Sequence, residues 1–339
     1  MTQRGSREAS TRLRAGRARP VQLICLGLSA LDMVWSIDSL PLAGHKIRAR
    51  SFHETGGGMA ANAAVAVARL GGAVQFWGRA GNDPSGLAMR DALAAEGVDV
   101  AQFRCFEGAS SSVSCALVDA LGERTIVNFR GADLPTAADW LPLGGVAAAD
   151  AVLADPRWLE GAMALFGAAR RGNKPTILDG DVADAQVFDA LLPLTDFAVF
   201  SASGLDGYVP VDVDIHAGPM SPDLAEHPLA RRVGPRLAYA RSRGCRVAAV
   251  TLGEDGVVWL DDDGLHHLPA HRVQTVDTTG AGDVFHGGFA YAIACRLEAR
   301  DAFAFAAAVA ALKCRSAGGR AGAPDLETTL DFLQRTEAV

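Results

Sequence analysis

Short continuous apolar runs alternate with longer alanine-rich stretches of helical period, and this limits the fold more than any other feature of the 339-residue chain. The runs include "VQLICLGLSALD" (21–32), "VQFWGRAG" (74–81), "AVLAD" (151–155), "PTILDGD" (175–181), "FAVFSAS" (197–203) and "RVAAVTLGEDGVVWL" (246–260). A run that is apolar at every position, not every second one, suits a strand covered on both faces. The intervening stretches "GGGMAANAAVAVARLGG", "DPSGLAMRDALAAEGV" and "LEGAMALFGAARRGN" carry helix stop or start signals: Gly71-Gly72 closes the first, and Asp83 is a natural N-cap for the second. The alternation predicts an α/β fold, a doubly wound and mostly parallel sheet with helices on both faces.

Two segments break the rhythm. Residues 33–52 alternate weakly and contain a Pro and a Gly, and "SSSVSCALVDALGERTIVNFRG" (110–131) reads as a hairpin around "ALGE". About 33–52 and 110–130 are expected to form a small β-sheet lid on a single domain spanning 21–335. Residues 1–20 carry six arginines and no apolar core, which excludes a secretory signal and predicts a disordered tail. Residues 206–232, with four prolines and five acids, read as a surface insertion.

A net charge of −7 argues against nucleic acid as the main partner. Cys25, Cys105, Cys115, Cys245, Cys295 and Cys314 show neither CxxC nor zinc spacing, so reduced thiols in a cytoplasmic protein are expected. No apolar stretch is long enough to span a bilayer.

The chemistry concentrates at "DTTGAGD" (277–283), followed by the apolar run "VFHGGFAYAIACRL". A Gly-Ala-Gly turn at a helix start leaves free N–H groups aimed outward, and with the helix dipole they favour an anion such as phosphate. Asp283 follows at once. A carboxylate beside such a hole can remove a proton from an attacking hydroxyl while the amides stabilise charge on the transferring group. A purely structural N-cap turn is the alternative. No GxxxxGK[ST] loop occurs anywhere, so phosphoryl transfer here would proceed without a P-loop.

These residues resemble the ribokinase-like (PfkB) family of carbohydrate kinases. "DTTGAGDVFHGGF" is similar to its C-terminal signature, "GGGMAANAAVAVARLG" to its N-terminal one, and "VTLGEDGV" (250–257) to its nucleotide-phosphate loop. The resemblance implies an ATP-dependent kinase using Mg²⁺ with ATP, with K⁺ as a second ion. It implies Asp283 as base, with the amides of Gly280, Ala281 and Gly282 as anion hole. Thr251, Gly253 and Gly256 would line the ATP phosphates, and Asp277 and the Thr279 carbonyl would hold a monovalent cation. Asp32, Gly57, Gly58 and Asn62 would hold the sugar. On the residues alone, Asp32 also suits a structural acid at a strand end, and Asn62 a helix cap. The family's Asn-x-x-Glu pattern is absent; Ser201 and Gly204 stand in its place. Asp179 and Asp181 are the remaining candidates near Mg²⁺, unless they only cap a strand end.

Within the family, "LADPRWLEGA" (153–162), "ILDGDV" (177–182) and "VAALKCRSAGGRAGAPD" (309–325) resemble the sulfofructose kinase branch more than the ribokinase branch. That implies phosphorylation of the C1 hydroxyl of 6-deoxy-6-sulfofructose, with Lys46, Asn128 and Arg157 around the sulfonate. The alternatives are a fructokinase or ketohexokinase, a sugar-phosphate or nucleoside kinase, or a sugar sensor without catalysis. Lys46 also suits a solvated charge, and Arg157 a partner for Asp155 or a phosphate. Family lids often pair between subunits, so a homodimer through the lid is expected, with no membrane or nucleic-acid partner.

Overall fold

The computed structural model describes residues 9–14, 19–41, 44, 46–121, 123–210, 213, 215–220, 224 and 228–336. The strands are β1 (Gln22–Gly27), β2 (Ala30–Ser36), β3 (Ser51–Gly57), β4 (Ala73–Gly81), β5 (Phe103–Phe106), β6 (Val113–Val118), β7 (Arg124–Phe129), β8 (Ala151–Ala154), β9 (Thr176–Gly180), β10 (Phe197–Ser201), β11 (Val247–Thr251), β12 (Val257–Asp261) and β13 (Gly264–Leu268). The main helices are α1 (Met59–Arg69), α2 (Pro84–Ala95), α3 (Leu159–Arg171), α4 (Ala185–Leu191), α5 (Ala202–Tyr208), α6 (Pro228–Ser242), α7 (Ala281–Ala294), α8 (Ala299–Cys314) and α9 (Leu326–Thr336).

Nine strands form one sheet in the order β13-β12-β11-β10-β9-β8-β1-β4-β5, parallel from β11 to β5, with β12 and β13 added antiparallel. The central strands β8 and β9 are buried at every position; β8 is apolar throughout, and β9 buries Thr176 and Asp179 along with its apolar residues. Two apolar cores result. One lies under α1, α2, α7 and α8 and contains Phe76, Phe289 and Phe303; the other lies under α3 to α6 and contains Trp77, Phe166 and Phe188. Burying each such ring contributes roughly 1.5–3 kcal/mol.

The expected lid is a second sheet of four strands, ordered β3-β2-β6-β7. The hairpin read at 110–131 is the antiparallel β6–β7 pair. The lid starts at Ala30, before the expected residue 33. The run 21–32, read as one strand, breaks after Gly27, and Ala30 already pairs with Gly57 in the lid. The cause is Gly27: at φ 149° its bare backbone lies against the Asp155 carboxylate, and a Cβ there would overlap that group. The turn therefore redirects the chain from core to lid at the sheet's carboxyl edge.

Asp83 caps α2 as expected, accepting from the Gly86 amide at 2.8 Å. In the "HGGF" of α7, Gly287 lies against the Ala63 carbonyl of α1, and Gly288 against Val309 of α8. The two glycines let α7 sit buried between its neighbours, so that only its amino end reaches the site. Of the stretch expected to be a free tail, residues 9–14 are helical, with Leu13 buried and Arg12 donating to the Arg296 carbonyl at 2.7 Å. In the expected insertion, described residues 215–220 run beside β13, where Leu265 N–H donates to Pro219 at 2.9 Å. All six cysteines are free thiols. Among the described residues no helix is long and apolar enough to cross a membrane.

Candidate active site

The site lies where the carboxyl ends of β1 and β8 to β11 meet the lid. Gly280 takes φ 71° as N-cap of α7, so Ala281, Gly282 and Asp283 fill the first turn; the Ala281 amide donates to the Thr278 carbonyl at 3.1 Å, while those of Gly282 and Asp283 have no helical acceptor. A Cβ added at Gly282 would meet nothing within 4 Å. The turn is therefore open to an anion.

Asp283 is half-buried, and the desolvation of its carboxyl pushes it up to about 6. The Asn62 side-chain amide opposes that rise by donating to Asp283 Oδ2 at 2.6 Å, from α1. The Asn62 carbonyl oxygen is buried and has no hydrogen-bond partner. It stands free to accept from a ligand hydroxyl.

Asp32, Gly57, Gly58 and Asn62 come together as expected. A Cβ at Gly57 would overlap the Asp32 carboxylate, and one at Gly58 (φ 96°) would overlap the Leu28 carbonyl. The bare backbone lets β3, β2 and the start of α1 close around one point. Ser114 donates to Asp32 Oδ1. Burial raises the Asp32 carboxyl, against the Ser114 hydroxyl and the Arg320 guanidinium. In register across the lid stand Thr55, Asp32, Ser114 and Asn128, a polar row on one face of four strands. Asn128 is exposed at the end of that row. Lys46 is exposed in the segment between β2 and β3.

Arg157 is held elsewhere than at the lid. Its guanidinium donates to Asp181 Oδ2 at 3.1 Å and to the Val182 carbonyl at 2.5 Å. Its own amide donates to Asp155 at 2.9 Å. Asp155 also accepts from Leu28 and Ala60 amides, at 2.7 and 3.2 Å, and so ties β8 to the β1 turn and α1.

On the nucleotide side, Thr251 ends β11, and the loop after it closes with the Leu252 amide donating to the Gly256 carbonyl at 2.8 Å. Gly253 (φ 58°) and Gly256 (φ 87°) take left-handed backbone there, and a Cβ at Gly256 would collide with the Leu268 carbonyl. Ser201 caps α5 through the Gly204 amide at 2.9 Å. Gly204 packs on the Gly180 carbonyl so closely that a Cβ would collide with it, so a Glu could not stand there on this backbone.

Asp179 and Asp181 do not fit a protein-built Mg²⁺ site. Asp179 is buried with Oδ2 at 3.3 Å from His286 Nδ1, and Asp181 accepts from Arg157 and from Ser201 at 3.2 Å. No cluster of three or more His, Cys, Asp or Glu suited to a metal occurs among the described residues.

Four residues outside the expected set shape the site. The two ring nitrogens of His286 sit 2.7 Å from the Gly282 carbonyl and 3.0 Å from the Val199 carbonyl. Both carbonyls can be satisfied only if both nitrogens carry protons. Burial alone would lower the ring's pKa, but Asp179 and the two carbonyls outweigh it and hold it up. Arg320 lies buried against Gly56, and its Nη1 has no hydrogen-bond partner. Arg124 reaches from β7 to the Thr278 and Thr279 hydroxyls. Lys313 is fully buried with Nζ 2.8 Å from the Asp277 carbonyl. The Asp277 carboxylate accepts from the Thr279 and Gly318 amides, at 2.8 and 2.9 Å. Its own burial would raise its pKa, but those bonds and Lys313 hold it below the usual carboxylate range.

A helix tip with unpaired amides at Gly282 and Asp283, a half-buried carboxylate beside it and a polar lid opposite can together carry phosphoryl transfer to a hydroxyl. Comparison with known proteins agrees. Residues 22–326 match the family model for pfkB family carbohydrate kinases. The chain belongs to the pfkB family of carbohydrate kinases. This kinase, an ATP-dependent phosphotransferase, is 34% identical over 251 residues to a fructokinase of Klebsiella pneumoniae, covering 68% of this chain and 75% of that one. It is 27% identical to a ribokinase of Haemophilus influenzae over 92% of this chain and 98% of the relative. Among solved structures, an assigned ribokinase of Agrobacterium tumefaciens superposes with a TM-score of 0.82 at 32% identity, over 94% of the kinase and 99% of that chain. The Arabidopsis thaliana ribokinase solved with ribose and ATP shares the fold, with a TM-score of 0.78 at 23% identity over 93% and 99% of the two chains.

Proposed function

We propose that this kinase transfers the γ-phosphoryl group of ATP to the C1 hydroxyl of a ketohexose, and that its sugar is 6-deoxy-6-sulfofructose. The observation that carries the phosphotransfer reading is the 2.6 Å bond from Asn62 to Asp283. It joins a sugar-side residue, whose other atom is an unfilled acceptor, to the carboxylate at the phosphate-side helix tip. The hydroxyl gives its proton to Asp283 as its oxygen attacks phosphorus in line. The amides of Gly280, Ala281 and Gly282 stabilise the charge on the transferring group. The nucleotide arrives as its magnesium complex. Asp32 and Asn62 orient the sugar, and lid closure keeps water from Asp283 and limits hydrolysis of ATP.

A sulfonate is a permanent anion with three acceptor oxygens. Asn128, at the end of the Thr55–Asp32–Ser114–Asn128 row, supplies a neutral donor, and Lys46 and Arg157 supply charge. Arg157 must leave Asp181 to do so. That pair is partly exposed, 17% and 35% for the two side chains, and is worth no more than about 1 kcal/mol. A bidentate bond to a desolvated sulfonate is worth about 1.5–3 kcal/mol, enough for roughly tenfold to hundredfold preference over neutral fructose. The same Arg157–Asp181 pair favours a second reading, a neutral ketose, since it leaves Arg157 already satisfied.

Rates with sulfofructose, fructose and fructose 6-phosphate decide between the readings. The sulfonate reading predicts the highest kcat/KM for sulfofructose, and an Arg157→Ala variant that loses this preference while using fructose almost as before. Equal kcat/KM values for the three sugars would leave the neutral-ketose reading. No ATP consumption with any of them would leave a sugar-binding protein without catalysis. The lid also supports a homodimer: Phe52, Val127 and Phe129 share its face away from Asp32 and are 47–67% exposed. Sedimentation at micromolar concentration showing only monomer would remove that assembly.

A further inference from the structure

We propose that the Lys313 ammonium is the resident cation of the phosphate-binding turn, so that this kinase needs no monovalent metal ion at Asp277. The inference rests on reading Gly280–Asp283 as the phosphoryl site.

Residues 276–279 are strapped to the end of α8: the Val276 amide donates to the Cys314 carbonyl at 2.7 Å, and the Asp277 amide reaches the same carbonyl at 3.2 Å. The Gly318 amide holds one Asp277 carboxylate oxygen and the Thr279 amide holds the other. Gly319, just beyond, packs on Gly280. A turn that must hold a highly charged phosphate gains from a fixed positive charge beneath it, because the attraction acts in a dry, low-dielectric setting.

Two arrangements could supply that charge. A free ion such as K⁺ would need several oxygen donors converging at Asp277 and Thr279. The donor set present is already engaged: both carboxylate oxygens accept backbone amides, and the Asp277 carbonyl accepts from Lys313 Nζ at 2.8 Å. An ion drawn to that carbonyl would meet the ammonium at contact distance and be repelled. The other arrangement is the one observed. Lys313 comes from the last turn of α8, where a cation also complements the negative end of the helix dipole. It is fully buried, and a buried ammonium must find a carbonyl or carboxylate partner. Its single hydrogen bond, to the Asp277 carbonyl, fixes the peptide that leads into the anion hole. Lys313 touches neither sugar nor nucleotide, so it is a positioning residue.

The test compares thermal unfolding of the full chain in KCl, NH₄Cl and tetramethylammonium chloride at equal ionic strength. No sugar or turnover is needed, so the outcome is independent of whether the substrate reading holds. A saturated ion site raises Tm by a few degrees. The wild-type protein is expected to melt at the same temperature in all three salts. Lys313→Ala is expected to melt lower in tetramethylammonium and to recover by a few degrees in K⁺ or NH₄⁺, as the small cations enter the vacated space. With ATP and the best sugar, turnover of that variant should rise with the same cations, while wild-type turnover does not respond. A K⁺-selective rise in wild-type Tm or rate overturns the proposal, as does a folded Lys313→Ala indifferent to the cation. If Lys313→Ala does not fold, the wild-type comparison decides alone.

Discussion

Asp283→Asn lowers kcat by about 10² to 10⁴-fold and leaves the KM values for ATP and sugar within a few-fold of the parent. The size of the effect follows from what the carboxylate does. An amide of the same shape keeps its place in the first turn of α7, but it cannot accept a proton from the attacking hydroxyl. The amides of Gly280 to Gly282 remain, so phosphate binding survives and the loss falls on the chemical step. Burial raises the Asp283 carboxyl to about 6, and a base must be ionised to act. Activity of the parent is therefore full well above pH 6 and falls as pH drops through that value, by roughly tenfold at pH 5. In Asp283→Asn this acidic limb disappears. A folded variant, checked by its melting temperature, that turns over like the parent would remove Asp283 from the mechanism.

Asp32→Ala should raise the sugar KM and lower kcat/KM by about 10² to 10⁴-fold while leaving the KM for ATP unchanged. The estimate takes two charge-assisted hydrogen bonds from sugar hydroxyls, at about 1.5–3 kcal/mol each. The carboxylate is set for that task by the bare backbone of Gly57 behind it and by the Ser114 hydroxyl on one oxygen. Its neighbour Arg320 keeps Nη1 unpaired in the folded chain, so removal of Asp32 also leaves a buried guanidinium with Glu96 as its main balancing charge. Asp32→Asn separates the two effects, because it retains hydrogen bonding without charge and should recover part of the sugar affinity. Steady-state kinetics with varied sugar at saturating ATP measures the split. An unchanged sugar KM in a stable Asp32→Ala protein would mean that the acid serves only to hold β2 against β6.

Much of this architecture was legible in the sequence because its causes are local. Short apolar runs announce β8 and β10, the Asp83 cap announces α2, and the polar alternation of 110–131 announces the hairpin. The helix-tip turn was legible for the same reason, since a Gly-Ala-Gly followed by Asp within one turn fixes its own geometry. What was missed depends on approach between distant segments. Arg320 meets Gly56 and Asp32 only after α8 has returned beneath the lid. His286 sits inside an apolar run and reads as core until Asp179 and two carbonyls are seen around its ring. Lys313 looks like an ordinary last-turn cation until its ammonium is found under Asp277. Arg157 shows the opposite case: its place after β8 was foreseen, but its engagement with Asp181 was not, because β9 supplies the partner. The missing Asn-x-x-Glu pattern also acquires a steric reason, since α5 at Gly204 rests directly on the Gly180 carbonyl.

A crystal structure of the kinase with a non-hydrolysable ATP analogue and its best sugar shows whether the α7 tip and Asp283 carry the transfer. The terminal phosphate is expected against the amides of Gly280, Ala281 and Gly282, with the reacting hydroxyl within about 2.6–3.2 Å of the Asp283 carboxylate and pointed at phosphorus. A terminal phosphate bound away from that helix tip, or a reacting hydroxyl whose nearest base is another residue, would contradict it.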